Sequence, residues 1–259
     1  MKGNDDRYII RSVERALNIL SILSDGKQRT LKEISDVIGI NNSTIFRFLT
    51  TLSNRGYVER DEQTAKYGLG IACLELVRAY HEGSDVRQIA YEELERLRDD
   101  TKETVHLAIL DKMEVVYVEK FLGLHAVGIM TSQVGGRSPA YCTGLGKVLL
   151  AFKDPDRVRS HYKEKEFYRF SDNTIQNIDK LMDRLDKVRL EGYALDYGEH
   201  EPDVRCIAVP LFNVTSEAVA AISVSGPASR MDPLESQVEL ITKLKESARS
   251  ISLHLGYVG

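Results

Sequence analysis

Two periods of apolar spacing divide this chain. In the first seventy residues apolar positions recur every three or four places. Val13, Ala16, Leu17, Leu20 and Leu23 predict a helix capped by Ser12 and ended by Asp25-Gly26. Leu31, Ile34, Val37 and Ile38 predict a second helix. Thr30 and Glu33 have capping-box spacing at its start, and Gly39 suits its left-handed end. Behind a cap at Asn41 or Asn42, Ile45, Phe48, Leu49 and Leu52 fall at i, i+3, i+4 and i+7, a core stripe. The opposite face carries Thr44, Arg47, Thr51 and Asn54. Residues 57–60 and 66–69 then read as two short strands around a polar turn.

A helix over residues 71–81, apolar on several sides, leads to a break at Gly83-Ser84. A further helix over 85–101 turns Ile89, Leu94 and Leu97 inward. There the period changes to two. Strands are expected at 104–110 and 115–120, joined by a turn at 111–114, and at 126–132. Gly135, Gly136 and Pro139 break the chain into a loop. Helices at 144–152, 155–161 and 176–191 are followed by strands at 193–197, 204–212 and 218–225. A long helix over 233–255 closes the chain. Hairpin strands with helices grouped between them predict an α+β domain with a mainly antiparallel sheet. The expected domains are 1–70, a linker helix at 71–84, and 85–259.

Helix, glycine turn, polar-faced helix and hairpin make a winged helix-turn-helix, whose second helix would enter the major groove of double-stranded DNA. Charge agrees locally. No carboxylate occurs from Val37 through Val58, where Arg47 and Arg55 do, as a surface approaching phosphates requires. Arg60, Lys66 and Tyr67 sit on the wing, and Arg7 and Arg11 are candidates for a basic arm before the first helix, within a terminus read as frayed over residues 1–8. Residues 1–70 carry 11 Lys+Arg against 9 Asp+Glu, and the remainder 24 against 30. The larger part is therefore acidic, which opposes a purely architectural role coating DNA.

At 42% hydrophobic and 29% charged residues, the chain has the composition of a soluble globular protein. No apolar run nears the roughly 18 residues that span a bilayer, and the polar start does not suit a signal peptide. A cytoplasmic protein without membrane contact is expected. Cys73, Cys142 and Cys206 are far apart and odd in number, so neither a zinc ribbon nor a disulfide framework is indicated.

Taken in order, the motifs resemble the IclR family of bacterial transcriptional regulators. The resemblance rests on Ser12-Val13-Glu14-Arg15-Ala16-Leu17, Asn42-Ser43-Thr44-Ile45-Phe46-Arg47, Arg55-Gly56-Tyr57-Val58 and Lys66-Tyr67-Gly68-Leu69-Gly70. It continues through Glu103-Thr104-Val105-His106-Leu107, Tyr141-Cys142-Thr143-Gly144-Leu145-Gly146-Lys147 and Gly192-Tyr193-Ala194-Leu195-Asp196. Arg205-Cys206-Ile207-Ala208-Val209-Pro210 and Ile222-Ser223-Val224-Ser225-Gly226-Pro227 complete it. It implies a winged helix-turn-helix followed by a GAF-like effector domain, working as a dimer or tetramer on palindromic operators. The implied role is a ligand-controlled repressor or activator, usually of genes for catabolism of small organic, aromatic or sugar acids. On the DNA side the expected contact residues are Asn42, Ser43, Thr44 and Arg47.

Residue chemistry picks out part of the effector site. Thr143-Gly144-Leu145-Gly146 opens a helix whose free N–H groups favour an anion, although the same glycines also suit close helix–sheet packing. It is not a P-loop, because Tyr141 and Val148 stand where that motif needs Gly and Ser/Thr. Ser223 and Ser225 share one strand face and suit a polar ligand. The resemblance implies that Gly144, Leu145, Asp196, Cys206, Ser223 and Ser225 line the cavity, and a small carboxylate is the expected effector. No cofactor, metal or catalytic residue is expected. Two rival readings are a metal sensor using Asp196, Glu199, His200 and His106, and a thiol enzyme pairing Cys206 with His200 or His106.

Overall fold

The capping box at Thr30 forms as its spacing predicts. Thr30 Oγ1 accepts from Glu33 N at 3.3 Å, and the Glu33 carboxylate accepts from Thr30 N at 2.7 Å. Helix α2 (Leu31–Ile38) follows and ends at Gly39, in the left-handed region with φ 74°. Around it stand α1 (Arg11–Leu23), α3 (Asn42–Asn54), the wing strands β1 (Val58–Arg60) and β2 (Tyr67–Leu69), and α4 (Ala72–Glu82). β1 and β2 pair antiparallel, with Glu59 opposite Gly68. These elements lie in one of two compact units, Met1–Gly83 and Ser84–Gly259. The computed structural model describes residues 8–82, 85–125 and 130–258.

The core of the first unit is Ile19, Leu23, Ile34, Ile45, Leu49, Val58 and Tyr67. Three expectations are corrected here. Val13, Leu17 and Val37 are exposed rather than inward, because α1 and α2 turn Ile19 and Ile34 to the core and leave the neighbouring apolar residues outside. Ser12 does not cap α1; Ile10 precedes its first residue, without a side-chain cap. Tyr67, expected on the DNA face of the wing, is 5% exposed and belongs to the core. Its backbone is also tied to Arg29, Tyr67 N donating to Arg29 O at 2.7 Å and Arg29 N to Tyr67 O at 2.9 Å.

The second unit is built on a six-stranded antiparallel sheet of order β5-β4-β3-β8-β7-β6. Its strands are β3 (Thr104–Asp111), β4 (Glu114–Phe121), β5 (Arg137–Pro139), β6 (Ala194–Asp196), β7 (Val204–Phe212) and β8 (Ala218–Pro227). The β3–β4 hairpin turns through Lys112 and Met113, both at positive φ. Side chains alternate between two cores. On one face Leu107, Ile207, Ile222 and Val224 pack with Leu94 of α5 (Asp85–Thr101) and Leu244 of α10 (Val238–His254). On the other, Ala108, Cys206, Ala208 and Ala221 pack with Val148 of α6 (Gly144–Ala151), Val158 of α7 (Pro155–Tyr162) and Leu185 of α8 (Ile178–Glu191).

Two elements differ from expectation in this unit. The loop around Pro139 contains strand β5, whose Ser138 is opposite Val115 of β4. The final helix is interrupted: α9 (Ala228–Met231) and a 3-10 turn at Leu234–Ser236 precede α10. Pro233, without an N–H, separates them. Of the strand expected at 126–132, residues 126–129 lie outside the described residues, and 130–132 form no strand. The expected break at Gly83-Ser84 also lies outside the described residues.

Candidate functional site

Every residue of α6 is buried, and its start is set against the middle of the sheet. Thr143 caps it, its Oγ1 accepting from Gly146 N at 3.2 Å and donating to Pro139 O at 3.3 Å. The amides of Gly144 and Leu145 face no protein acceptor among the described residues, and helix starts leave such donors free. The two glycines have different reasons. A Cβ on Gly146 would lie 2.2 Å from Ala140 O, so this position serves packing. A Cβ on Gly144 would meet Cys206 Sγ at 2.9 Å and Asp196 Cβ at 3.6 Å, so glycine here brings the helix start down onto β6 and β7.

The space left between α6 and the sheet is a small cavity of ≈ 50 Å³. That is well below the roughly 300 Å³ of a drug-sized site, so it suits a small molecule. All six expected residues, Gly144, Leu145, Asp196, Cys206, Ser223 and Ser225, line it. Register explains the convergence: Asp196 is opposite Cys206, and Cys206 is opposite Ser225. Ser223 is opposite both Ala208 and His106.

The loop after β6 is fastened from below. Lys147, with no exposed surface, donates to the Glu199 carboxylate and to Leu195 O, the latter at 2.8 Å. Glu199 N donates to Asp196 Oδ1 at 2.9 Å, and Thr174 Oγ1 donates to Glu199 O at 2.6 Å. Burial pushes the Glu199 carboxyl up, against the pull of Lys147. Glu199 thus faces its lysine rather than a shared metal position. Among the described residues no group of three or more His, Cys, Asp or Glu could hold a metal ion.

Sequence reasoning raised His106 and His200 only as rivals' ligands or bases and missed Thr131, Ser132 and Glu201 altogether. All five line the cavity. Glu201 reaches across to residue 131, its carboxylate accepting from Thr131 N at 2.9 Å and from Thr131 Oγ1. Lys120 Nζ donates to Ser132 O at 2.5 Å, and His106 Nε2 lies 2.9 Å from Ser132 Oγ. No local sequence signal marks 130–132, because it has neither helical nor strand spacing and is held by distant side chains. Burial lowers His106 to about 3, with Lys120 adding to the effect, so its imidazole is neutral near pH 7. Burial, with Asp196 nearby, pushes the Cys206 thiol up to about 12 despite the hydroxyls of Ser225 and Ser223. A thiol so placed is a poor nucleophile.

On the first unit, α3 presents Asn42, Ser43, Arg47 and Thr51 outward, with Thr44 half-buried. Asn41 caps it, its Oδ1 accepting from Thr44 N at 2.9 Å and from Ser43 Oγ at 2.8 Å. Phe46, next to Arg47 in α3, is 53% exposed. Arg11 and Arg60 are exposed and Lys66 half-buried. The Arg60 guanidinium lies 5.8 Å from the centre of the Tyr67 ring.

Residues 12–62 match the IclR helix-turn-helix domain, and residues 78–253 match the C-terminal domain of the bacterial transcriptional regulator IclR. The chain belongs to the IclR family. Its relatives in the family include the HTH-type transcriptional regulator KdgR of Escherichia coli, 35% identical over 96% of this chain and 94% of that protein. Another is the HTH-type transcriptional repressor AllR of Klebsiella pneumoniae, 32% identical over 95% and 90% respectively. An IclR homologue from Microbacterium hydrocarbonoxydans, solved as a complex with 4-hydroxybenzoate, superposes with a TM-score of 0.83. It is 26% identical, over 94% of this chain and 98% of that one. IclR-family proteins join a helix-turn-helix to a C-terminal ligand-binding domain, and both parts are accounted for here. No helix among the described residues is long and apolar enough to cross a membrane.

Proposed function

We propose that this IclR-family protein is a cytoplasmic repressor that reads a palindromic operator through α3 and releases it when a small carboxylate occupies the α6 cavity. The observation that carries the reading is the meeting of the unpaired Gly144 and Leu145 amides with the fully buried Ser223 in one cavity. Buried donors without acceptors favour a ligand that supplies them, and a helix start favours an anion. The small acid bound by the Microbacterium relative supports the same class. On the DNA side Asn42, Ser43, Thr44 and Arg47 would face base edges, while Arg11, Arg60 and Lys66 would meet phosphates.

A palindrome needs two copies of the reading helix, so the working form is a homodimer or tetramer. Ile10 just before α1, Val13 and Leu17 on α1, and Leu74 and Val77 on α4 are exposed apolar residues that support a subunit contact. No catalytic role is assigned. The test is to titrate small carboxylates and matched neutral compounds against thermal melting and operator binding. Carboxylates are expected to raise the Tm and weaken operator binding. If only neutral compounds raise the Tm, the effector reading fails.

A further inference from the structure

Residues 130–132 form a wall of the cavity that is fastened by side chains from elsewhere. The Glu201 carboxylate accepts from Thr131 N at 2.9 Å. Lys120 Nζ donates to Ser132 O at 2.5 Å and to Met130 O at 3.4 Å. Met130, Thr131, Ser132 and Glu201 all line the cavity, so a molecule that enters meets the wall and one of its fastenings. Lys120 is not part of the lining; it holds the wall from β4.

Lys120 stands opposite His106 in the register, and its neighbour Glu119 stands opposite Leu107. Neighbouring strand residues face opposite sides of the sheet. Lys120 therefore faces the cavity, and Glu119 faces the core shared with α5. There Glu119 Oε2 meets the Arg87 guanidinium at 2.6 Å, and its Oε1 accepts from Lys120 N at 3.0 Å. Arg87 lies in the first turn of α5. Its guanidinium is 5.8 Å from the centre of the Tyr91 ring, which packs edge-on against Phe121 of β4. β4 is irregular at this point. Glu119 opposes Leu107 but Tyr117 opposes Ala108, so Val118 is an extra residue, a β-bulge. A bulge interrupts the ladder, and lets Glu119 and Lys120 shift without carrying the rest of the strand.

α5 opens the second unit and follows α4 of the first unit in the chain. We propose that β4 passes the state of the effector cavity to the start of α5, with Lys120 holding the wall on one face and the Glu119–Arg87 pair holding α5 on the other. Arg87 is a positioning residue for the response and acts through Glu119. The proposal rests on the effector reading of the α6 cavity given above, and adds how occupancy leaves that cavity.

The experiment is hydrogen–deuterium exchange on the full-length protein. Glu201→Ala frees the wall without any ligand. It is expected to raise exchange at 130–132 and, by about fivefold or more, at the α5 amides of residues 89–94. In the Glu119→Gln and Arg87→Gln backgrounds the same change is expected to raise exchange at 130–132 alone. Circular dichroism and melting of each variant establish that it is folded. No response at 89–94 to Glu201→Ala, or a response that persists in both backgrounds, overturns the coupling. Lactate, gluconate and 4-hydroxybenzoate are then added in turn. An acid that protects 130–132 should protect 89–94 in the parent protein and not in Glu119→Gln. Protection of 89–94 in both proteins overturns the coupling and leaves the carboxylate reading standing. If no acid protects 130–132 or the start of α6, the carboxylate reading fails, and the Glu201→Ala series decides the coupling by itself.

Discussion

Helices α3 and α6 both begin behind a side-chain cap, Asn41 in one and Thr143 in the other, and both leave amides free at the first turn. Their surroundings differ. Asn41, Asn42 and Ser43 are exposed, while every residue of α6 is buried. At α3 water can satisfy the free groups, so no single partner is demanded. Binding there must come from several charge and base contacts together, and it weakens with salt. At α6 water has little room, and each unpaired group counts in full. One backbone device therefore serves as part of a broad open surface in the first case and as a small selective cavity in the second.

Breaking the buried side has the largest expected effect. Lys147→Met removes the cation from Glu199, whose Oε2 already lacks a partner. It is expected to cost about 3–5 kcal/mol in urea unfolding, with much of the loss recovered in the Lys147→Met, Glu199→Gln double variant. A loss below about 1 kcal/mol would show that the loop carrying Asp196 does not depend on this pair.

The next test uses pH. The native His106 is held near 3, against an ordinary value of 6.5. The unfolded chain therefore takes up this proton first as pH falls. Stability from this group is complete above pH 6.5 and is lost progressively toward pH 3, by at most about 1.4 kcal/mol per pH unit. Urea titrations at pH 7, 6, 5 and 4 should show a shallower acid decline in His106→Leu. Parallel curves for the two proteins would mean that His106 protonates normally in the fold.

On the open side, Arg47→Ala should weaken specific operator binding by about 1–3 kcal/mol if Arg47 reads a base edge. Lys66→Ala should weaken all sequences alike and flatten the salt dependence. An unchanged ratio of specific to random binding in Arg47→Ala would remove Arg47 from base reading. The smallest effect tests the comparison directly. Asn41→Ala exposes a cap already open to water and should cost about 1 kcal/mol. Thr143→Ala leaves a buried Gly146 N–H unpaired and should cost more, within about 1–3 kcal/mol. Equal losses in the two melts would show that burial does not set the value of the cap.

What was legible in the sequence follows the range of the interactions involved. The Thr30–Glu33 box and the left-handed Gly39 are fixed by neighbours within three or four residues and read directly, while the sequence leaves the α3 cap between Asn41 and Asn42 and the structure assigns it to Asn41. The six expected cavity residues came from the family motifs, and strand register then brings them together. Tyr67 was misplaced because a two-strand wing has two faces, and only packing against Ile45 and Leu49 decides between them. Val13, Leu17 and Val37 look like core residues by type, yet their helices need only part of an apolar face in one copy of the chain. Glu201 and Thr131 are seventy residues apart, and nothing near either announces the other.

The alternation on β3, β7 and β8 carries a practical consequence. His106, Cys206, Ser223 and Ser225 point to the cavity, while Leu107, Ile207, Ile222 and Val224 point to the core against α5 and α10. Recognition and folding are written on interleaved positions of the same strands. A combinatorial library confined to residues 106, 206, 223 and 225 would vary the binding wall while leaving the opposite core sequence untouched. Such a biosensor library could be screened for new inducers with far fewer unfolded members than random mutagenesis of the same strands would give.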